Sequence, residues 1–241
     1  MDARIQLQPA YVIHTRPFQN SSLLVDFYCL DYGRLRAIAR GARRQKSRYR
    51  SLLQLFHPLL ISLAGKGEVK TLTGLESSHS AIELQGRSLF SGLYLNELLT
   101  HLLHLHVEHH QLYRAYQEAL LNLASNQPIE PILRNFEMDM LVELGYGIDF
   151  SREWGSEQPL NPGTLYQFNP GAGFEAVREG ASASGYRVFS GDVLLSINNR
   201  QFSDPRVLKS AKHLLRSAIA AQLGGKELMS RNLFQDHSRE G

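Results

Sequence analysis

The chain has 241 residues, 43% of them hydrophobic, and 26 Lys and Arg against 23 Asp and Glu, for a net charge of +3. That length and apolar content exclude a disordered tail and allow one large domain or two or three small ones. A single cysteine, Cys29, excludes an internal disulfide and a cysteine zinc cluster, and no run approaches the ~20 apolar residues of a membrane span. The N-terminus, MDARIQLQPA, lacks the apolar core of a signal peptide, so the chain is read as cytoplasmic, in a reducing compartment.

Over the first 75 residues apolar side chains recur with a period near two, as strands buried on one face require. Tyr11 to Thr15 form the first; Val25, Phe27 and Cys29 mark the second. A turn at Asp31-Tyr32-Gly33 leads into a third, where Leu35, Ala37 and Ala39 alternate with Arg34, Arg36 and Arg40. This strand has an apolar and a basic face, and it runs into ARGARRQKSRYRS at 39–51. From Arg34 to Arg50 there are eight cations (Arg34, Arg36, Arg40, Arg43, Arg44, Lys46, Arg48 and Arg50) and no acid, which leaves the remaining 224 residues at −5. So local a positive field attracts phosphates or acidic surfaces; the alternative is a solvated basic loop without a partner. A fourth run, 55–63, contains Pro58, which predicts an edge or bulged strand. Gly65-Lys66-Gly67 then turns into a fifth, Val69 to Thr73. Five short strands in this length predict a small closed barrel of the oligonucleotide-binding type.

Arginine meets phosphate through paired planar contacts and stacks on bases. Tyr49, between Arg48 and Arg50, offers a stacking surface, as do Tyr28 and Tyr32. The predicted DNA-binding set is therefore Arg34, Arg36, Arg40, Arg43, Arg44, Lys46, Arg48, Arg50, Tyr49, Lys66 and Lys70. No segment resembles a base-reading helix, so weak sequence preference and strong salt dependence are expected.

After Glu76 the period becomes helical: first Leu95, Leu98, Leu99 and Leu102, then Leu112, Tyr116, Leu120 and Leu123. A third helix begins near Pro131, carries Ile132, Phe136, Met140 and Leu144, and closes at Gly145. The three predict a helical bundle. The stretch HLLHLHVEHH, 101–110, holds five of the ten histidines. On one continuous helix His101, His104 and Glu108 share a side, and His106 and His110 share another at a zinc-type spacing. HEXXH is absent and leucines already fill the apolar positions, so a polar helix end with exposed histidines and no metal is expected. A hydrolase or transferase built on this cluster is the alternative from another class. Cys29, in a strand pattern, reads as a buried structural thiol and not as a nucleophile.

Between Gly147 and Ser203 the sequence is rich in Gly, Pro, Ser and Asn. Gly171-Ala172-Gly173 reads as a turn before a strand at 174–177, and Trp154, Tyr166 and Phe168 are expected to centre the packing. Asp204-Pro205 then caps a long helix whose buried face is Leu208, Ala211, Leu215, Ala218 and Ile219, ending at Gly224-Gly225. Gly224-Gly225-Lys226 fails as a phosphate loop, because Glu227 follows and the upstream glycine is missing. Lys209, Lys212 and Arg216 line the opposite side of the helix, as solvated surface or as a secondary DNA track. Residues after Phe234 are expected to fray. The fold class is α+β: an N-terminal five-stranded OB-fold barrel at 1–78, a central helical domain at 79–147 and a small mixed C-terminal region at 148–241. The helix near 204–222 is expected to pack on the bundle.

Several stretches together resemble the RecO family of bacterial DNA repair and recombination mediators, in its proteobacterial form. They are YVIHTRPFQNSSLLVDFYCLDYGRLRAIARGAR (11–43), LLISLAGKGEVKTLTGLE (59–76), LFSGLYLNELL (89–99), EPILRNFEMDMLVELGYGIDF (130–150) and LGGKELMSR (223–231). The resemblance implies a non-enzymatic, cofactor-free protein at the nucleoid that binds single- and double-stranded DNA and anneals complementary strands. It also implies action with RecR to help RecA load onto DNA coated by single-stranded DNA-binding protein. That coating protein's acidic, apolar C-terminal tail is implied to dock at Arg134, beside Ile132, Leu133 and Phe136. Many relatives carry a four-cysteine zinc module after the LGYG-type segment; here 148–155 continues without cysteine, so the zinc is not carried over. The other reading of the barrel is a general single-stranded DNA- or RNA-binding protein without a recombination role.

Overall fold

In the computed structural model, which describes residues 4–156, 158–177, 187–230 and 232–233, five strands close into a barrel. They are β1 (Arg4–Phe18), β2 (Ser22–Cys29), β3 (Gly33–Ala39), β4 (Leu59–Ala64) and β5 (Val69–Ser77), in the order β1-β2-β3-β5-β4. Neighbours are antiparallel except β3 and β5, which pair in parallel; this is the predicted barrel of the oligonucleotide-binding type. The alternation works as expected, with Val25, Phe27, Cys29, Leu35, Ala37 and Ala39 filling the interior beside Ile61, Leu63 and Leu72. Cys29 is fully buried, and burial, with the nearby Asp31 charge, pushes its thiol far above the ordinary range.

Two strands differ from expectation. β1 extends far beyond Tyr11–Thr15, with register shifts between Ile5 and Gln8 and between Val12 and His14; such bulges bend one strand so that it can pair with β4 early and β2 late. The fourth strand starts later than predicted. Phe56 has φ 62, and Pro58 precedes β4, so the proline costs no ladder bond in a barrel without edges.

α1 (Gly86–Leu102) and α2 (His110–Ala124) pack on each other, and α1 packs on β1. Tyr11 and Tyr28, on the outside of the barrel wall, meet Tyr113 and Tyr116 with ring centroids 5.3 to 5.9 Å apart. These aromatic contacts explain why α1 and α2 belong to the barrel's own compact unit, Met1–Gln127, which Leu228–Gly241 joins. α3 (Ile129–Glu143) falls instead in a second unit, Pro128–Glu227. The boundaries therefore differ from those expected at 78 and 147, and the three consecutive helices are shared between two units.

The second unit holds β6 (Leu165–Asn169), β7 (Gly173–Ala176), β8 (Val188–Ser190), α4 (Gly191–Asn198) and α5 (Pro205–Leu223). The sheet order is β7-β6-β8, with the expected glycine turn between β6 and β7; α4 was not predicted. Its aromatic core is Phe150, Phe168 and Phe174, at centroid distances of 5.3 and 5.4 Å, with buried Tyr166 and Phe189. Trp154, expected there, is 57% exposed: its backbone N–H bonds to the Phe174 carbonyl, while its ring stays outside. α5 begins as predicted, with the Asp204 carboxylate accepting from Arg206 N, and ends at Gly224 in the left-handed conformation. Its buried face is Val207, Ala211, Leu214, Leu215, Ala218 and Ile219; Leu208 is only half-buried. It packs on α3 and α4. The fraying expected after Phe234 lies outside the described residues.

Candidate nucleic-acid interface

Beyond β3 the chain winds through successive turns. Arg44 N donates to Gly41 O, Ser47 N to Arg44 O and Arg50 N to Ser47 O, at 3.0 to 3.2 Å. Gly41, at φ 67, starts this path, and mutual repulsion among the arginines disfavours a regular helix here. Two anchors fix the segment. Arg43 N donates to Ser21 O at 2.9 Å, and the half-buried Tyr49 ring packs with Leu52 against the barrel core. Arg40, Arg43, Arg44, Lys46, Arg48 and Arg50 are all exposed, and none takes part in an ion pair with a carboxylate among the described residues. Arg48 lies over the Tyr49 ring, 5.1 Å from its centroid, and the Tyr49 hydroxyl helps raise its already high pKa. Tyr49 is thus an anchor for the loop before it is a stacking surface. Lys66, on the β4–β5 turn, is exposed as well.

Three predicted contacts are engaged within the fold. Arg34 and Arg36 lie on the outer side of β3, and the end of α1 reaches Arg34. Asp26, directly opposite Arg36 on β2, accepts from Arg36 Nε at 2.6 Å and from Arg34 Nη2 at 2.7 Å. Arg34 Nη1 also donates to the carbonyls of Thr100 and Leu103 at the end of α1. The Arg34 guanidinium thus ties the barrel to the end of α1, and that of Arg36 ties β3 to β2. Lys70 is 2% exposed and donates to Gly65 O at 3.0 Å, so it too belongs to the fold. Tyr28 is buried, its hydroxyl donating to His109 O, which removes it as a stacking surface.

Burial by itself would raise the Asp26 carboxyl, but the hydrogen bonds and charges of Arg36 and Arg34 outweigh it and hold the group below its ordinary value. A carboxyl depressed on folding adds stability that is fully present above the unfolded pKa, near ~3.9, and is lost as pH falls through the folded value. Asp26→Asn is therefore expected to cost about 2 kcal/mol at pH 7, below the ~3–5 of a fully orphaned buried pair because Arg34 keeps its carbonyl partners. Urea unfolding of both proteins should show this gap constant from pH 8 to about 5 and closing below about 4.

The histidine stretch lies at a helix end, as expected, but of its five histidines only His104 is exposed and the others are half-buried. α1 stops at Leu102, His106 has φ 63 and bonds back to Arg34 O, and α2 starts only at His110. Arg34 takes the carbonyls that another helical turn would use. His101 faces Glu97 at 3.8 Å and His110 faces Asp31 at 3.2 Å, so the spacing of His106 and His110 makes no shared face. Among the described residues no group of three or more His, Cys, Asp or Glu is placed to hold a metal.

Arg134 is 4% exposed, with Nη2 on Glu137 at 2.7 Å and Nη1 at 3.9 Å from Glu130; Ile132, Leu133 and Phe136 are buried beside it. The open cation expected there is thus an internal ion pair. Lys209, Lys212 and Arg216 are exposed on α5, and Lys212 reaches Glu130 at 2.9 Å. Among the described residues no helix is long and apolar enough to cross a membrane.

The fold and this loop define a barrel protein of the oligonucleotide-binding type that presents an arginine-rich loop without carboxylate partners. Residues 1–81 match the family model for the recombination protein O N terminal, and residues 84–232 match the one for its C terminal. The DNA repair protein RecO of Tolumonas auensis is 42% identical over 231 residues, 95% of this chain and 94% of the relative. Those of Aliivibrio salmonicida and Coxiella burnetii are 40% and 39% identical over 234 residues, 97% of this chain and 97% and 100% of the relatives. The chain belongs to the RecO family, which places its role in DNA repair and recombination.

Proposed function

We propose that this protein is a non-enzymatic recombination mediator that binds single- and double-stranded DNA through the 40–50 loop and anneals complementary strands. With RecR it helps RecA load onto DNA coated by single-stranded DNA-binding protein. The observation that carries this reading is the loop itself: six exposed cations on a segment anchored to the barrel by the Arg43 N to Ser21 O bond and the Tyr49 ring. Two strands held on such a surface repel each other less while their bases stay available, so pairing needs no chemical step. Lys209, Lys212 and Arg216 on α5 supply a second DNA track. For the acidic tail, Arg134 enters only by exchange, with a partner carboxylate displacing Glu137 or Glu130 from the guanidinium.

Five phosphate contacts on a single strand are expected to give a log affinity against log salt slope of about −3.5, at roughly −0.7 per contact. Fluorescence anisotropy of a labelled oligonucleotide from 50 to 300 mM salt measures it, and a flat response would remove the proposal. Acceleration of annealing separates the mediator from a general single-strand coat, which would slow pairing. Arg134→Ala is expected to lose binding of the tail peptide by calorimetry while DNA affinity stays; unchanged peptide binding rejects the exchange.

A further inference from the structure

The tip of the β1–β2 hairpin and the first turn of the basic loop flank an open cavity of about 390 Å³, lined by Phe18, Gln19, Ser22, Ile38, Arg40 and Arg44, with Ser21 and Gly41 completing it. Cross-strand pairing of Phe18 with Ser22 and of Leu24 with Ile38 puts Phe18, Ser22 and Ile38 on one face of the sheet. Gly41 lets the next turn fold back over that face, and the Arg44 side chain lies 3.5 Å from where a Gly41 Cβ would stand. The floor is held in place: Arg43 N bonds to Ser21 O at 2.9 Å, and Arg43 Nη1 reaches Gln19 O at 3.4 Å. The cavity thus combines one aromatic ring, an aliphatic side chain, three hydroxyl or amide side chains and two guanidiniums.

That inventory has the chemistry of one nucleotide: a flat base, hydrogen-bonding edges and a phosphate. Its volume is near the lower end of the ~300–1,000 Å³ usual for small-ligand sites, which admits one nucleotide and no duplex. We infer that this hairpin cavity holds a single unpaired nucleotide of DNA, its base against Phe18 and its phosphate between Arg40 and Arg44. The inference rests on the DNA-binding reading above and adds a preference that loop charge alone does not give. A paired base is already stacked in its helix and cannot enter, so the cavity discriminates single strand from duplex. It also sets the register of the strand at the loop, since one nucleotide is seated while its neighbours meet only arginines.

Phe18→Leu keeps an apolar side chain on the half-buried position and all the charge. It is expected to weaken binding of a single-stranded oligo-dT by roughly five- to a hundred-fold, the range for one base–aromatic contact, with the salt slope and duplex affinity unchanged. Equal losses on both DNAs, or no loss on either, overturn the inference. Should wild type fail to bind any DNA, the underlying reading fails with it; should wild type bind with the expected slope and Phe18→Leu be indistinguishable, the cavity alone is rejected. A second protein guards against a folding artefact. The chain has one tryptophan, Trp154, so Phe18→Trp with Trp154→Phe places a single reporter in the cavity. Its emission is expected to be quenched by saturating oligo-dT and not by duplex, and an unquenched signal at saturation also overturns the assignment.

Discussion

Replacing Arg40, Arg43, Arg44, Arg48 and Arg50 together by glutamate is expected to lower affinity for single-stranded DNA by at least about a thousand-fold at physiological salt, and to abolish annealing. Counterion release sets the scale: a slope near −3.5 is lost with the five contacts, and the five new carboxylates then repel phosphate. Folding should survive. These side chains are exposed, outside the ion pairs of the described residues, and the loop is anchored by main-chain bonds and Tyr49. Circular dichroism and thermal unfolding should therefore match wild type, while anisotropy and hybridisation assays show the loss. Arg36→Gln is the contrast, since it should keep DNA affinity and lower stability, because Arg36 serves Asp26. Retained binding by the five-glutamate protein, folded as wild type, would refute the loop as the interface.

Gly33→Ala is expected to destabilise the first compact unit by about 2–5 kcal/mol. Gly33 has φ 59, where an L side chain costs ~1–2 kcal/mol. An alanine Cβ would also stand 1.7 Å from Val107 O. The obstacle is backbone, which no rotamer change relieves, so a displacement costing roughly 1–3 kcal/mol adds to the strain. Val107 lies in the connection that returns from α1 to α2, so the displacement also disturbs the His106 N to Arg34 O bond at 2.9 Å. Urea titration should show a lower midpoint with an unchanged slope; a midpoint equal to wild type would mean the β2–β3 turn and this connection do not pack as closely as described.

The barrel was legible because period-two alternation and glycine turns are local signals. Val25, Phe27 and Cys29 face inward for the reason the pattern gives, and Asp204-Pro205 and Gly224 bound α5 because caps are chosen by neighbouring residues. What failed depended on which surface another element would cover. Arg34 and Arg36 look identical in kind to Arg40 and Arg43, yet Asp26 engages the first pair and no carboxylate of the described residues engages the second. A signal did exist: with Cys29 opposite Gly33, the register puts Asp26 opposite Arg36, and a cross-strand carboxylate is the expected partner. In the histidine stretch, helical spacing does not carry past Leu102 because the break is imposed from outside the segment, where Arg34 caps Thr100 and Leu103.

Periodicity, capping and composition along a few neighbouring residues sufficed for the five-strand barrel, for α1, α2, α3 and α5 and for the site of charge concentration, but not for α4. Only packing between distant segments set which cations remain available, buried the pair of Arg134 and Glu137, and brought the hairpin tip and basic loop together around an open cavity lined by Phe18. Burial and pairing are set by partners distant in the chain, and the free energy of a charge depends on which of those partners removes it from water.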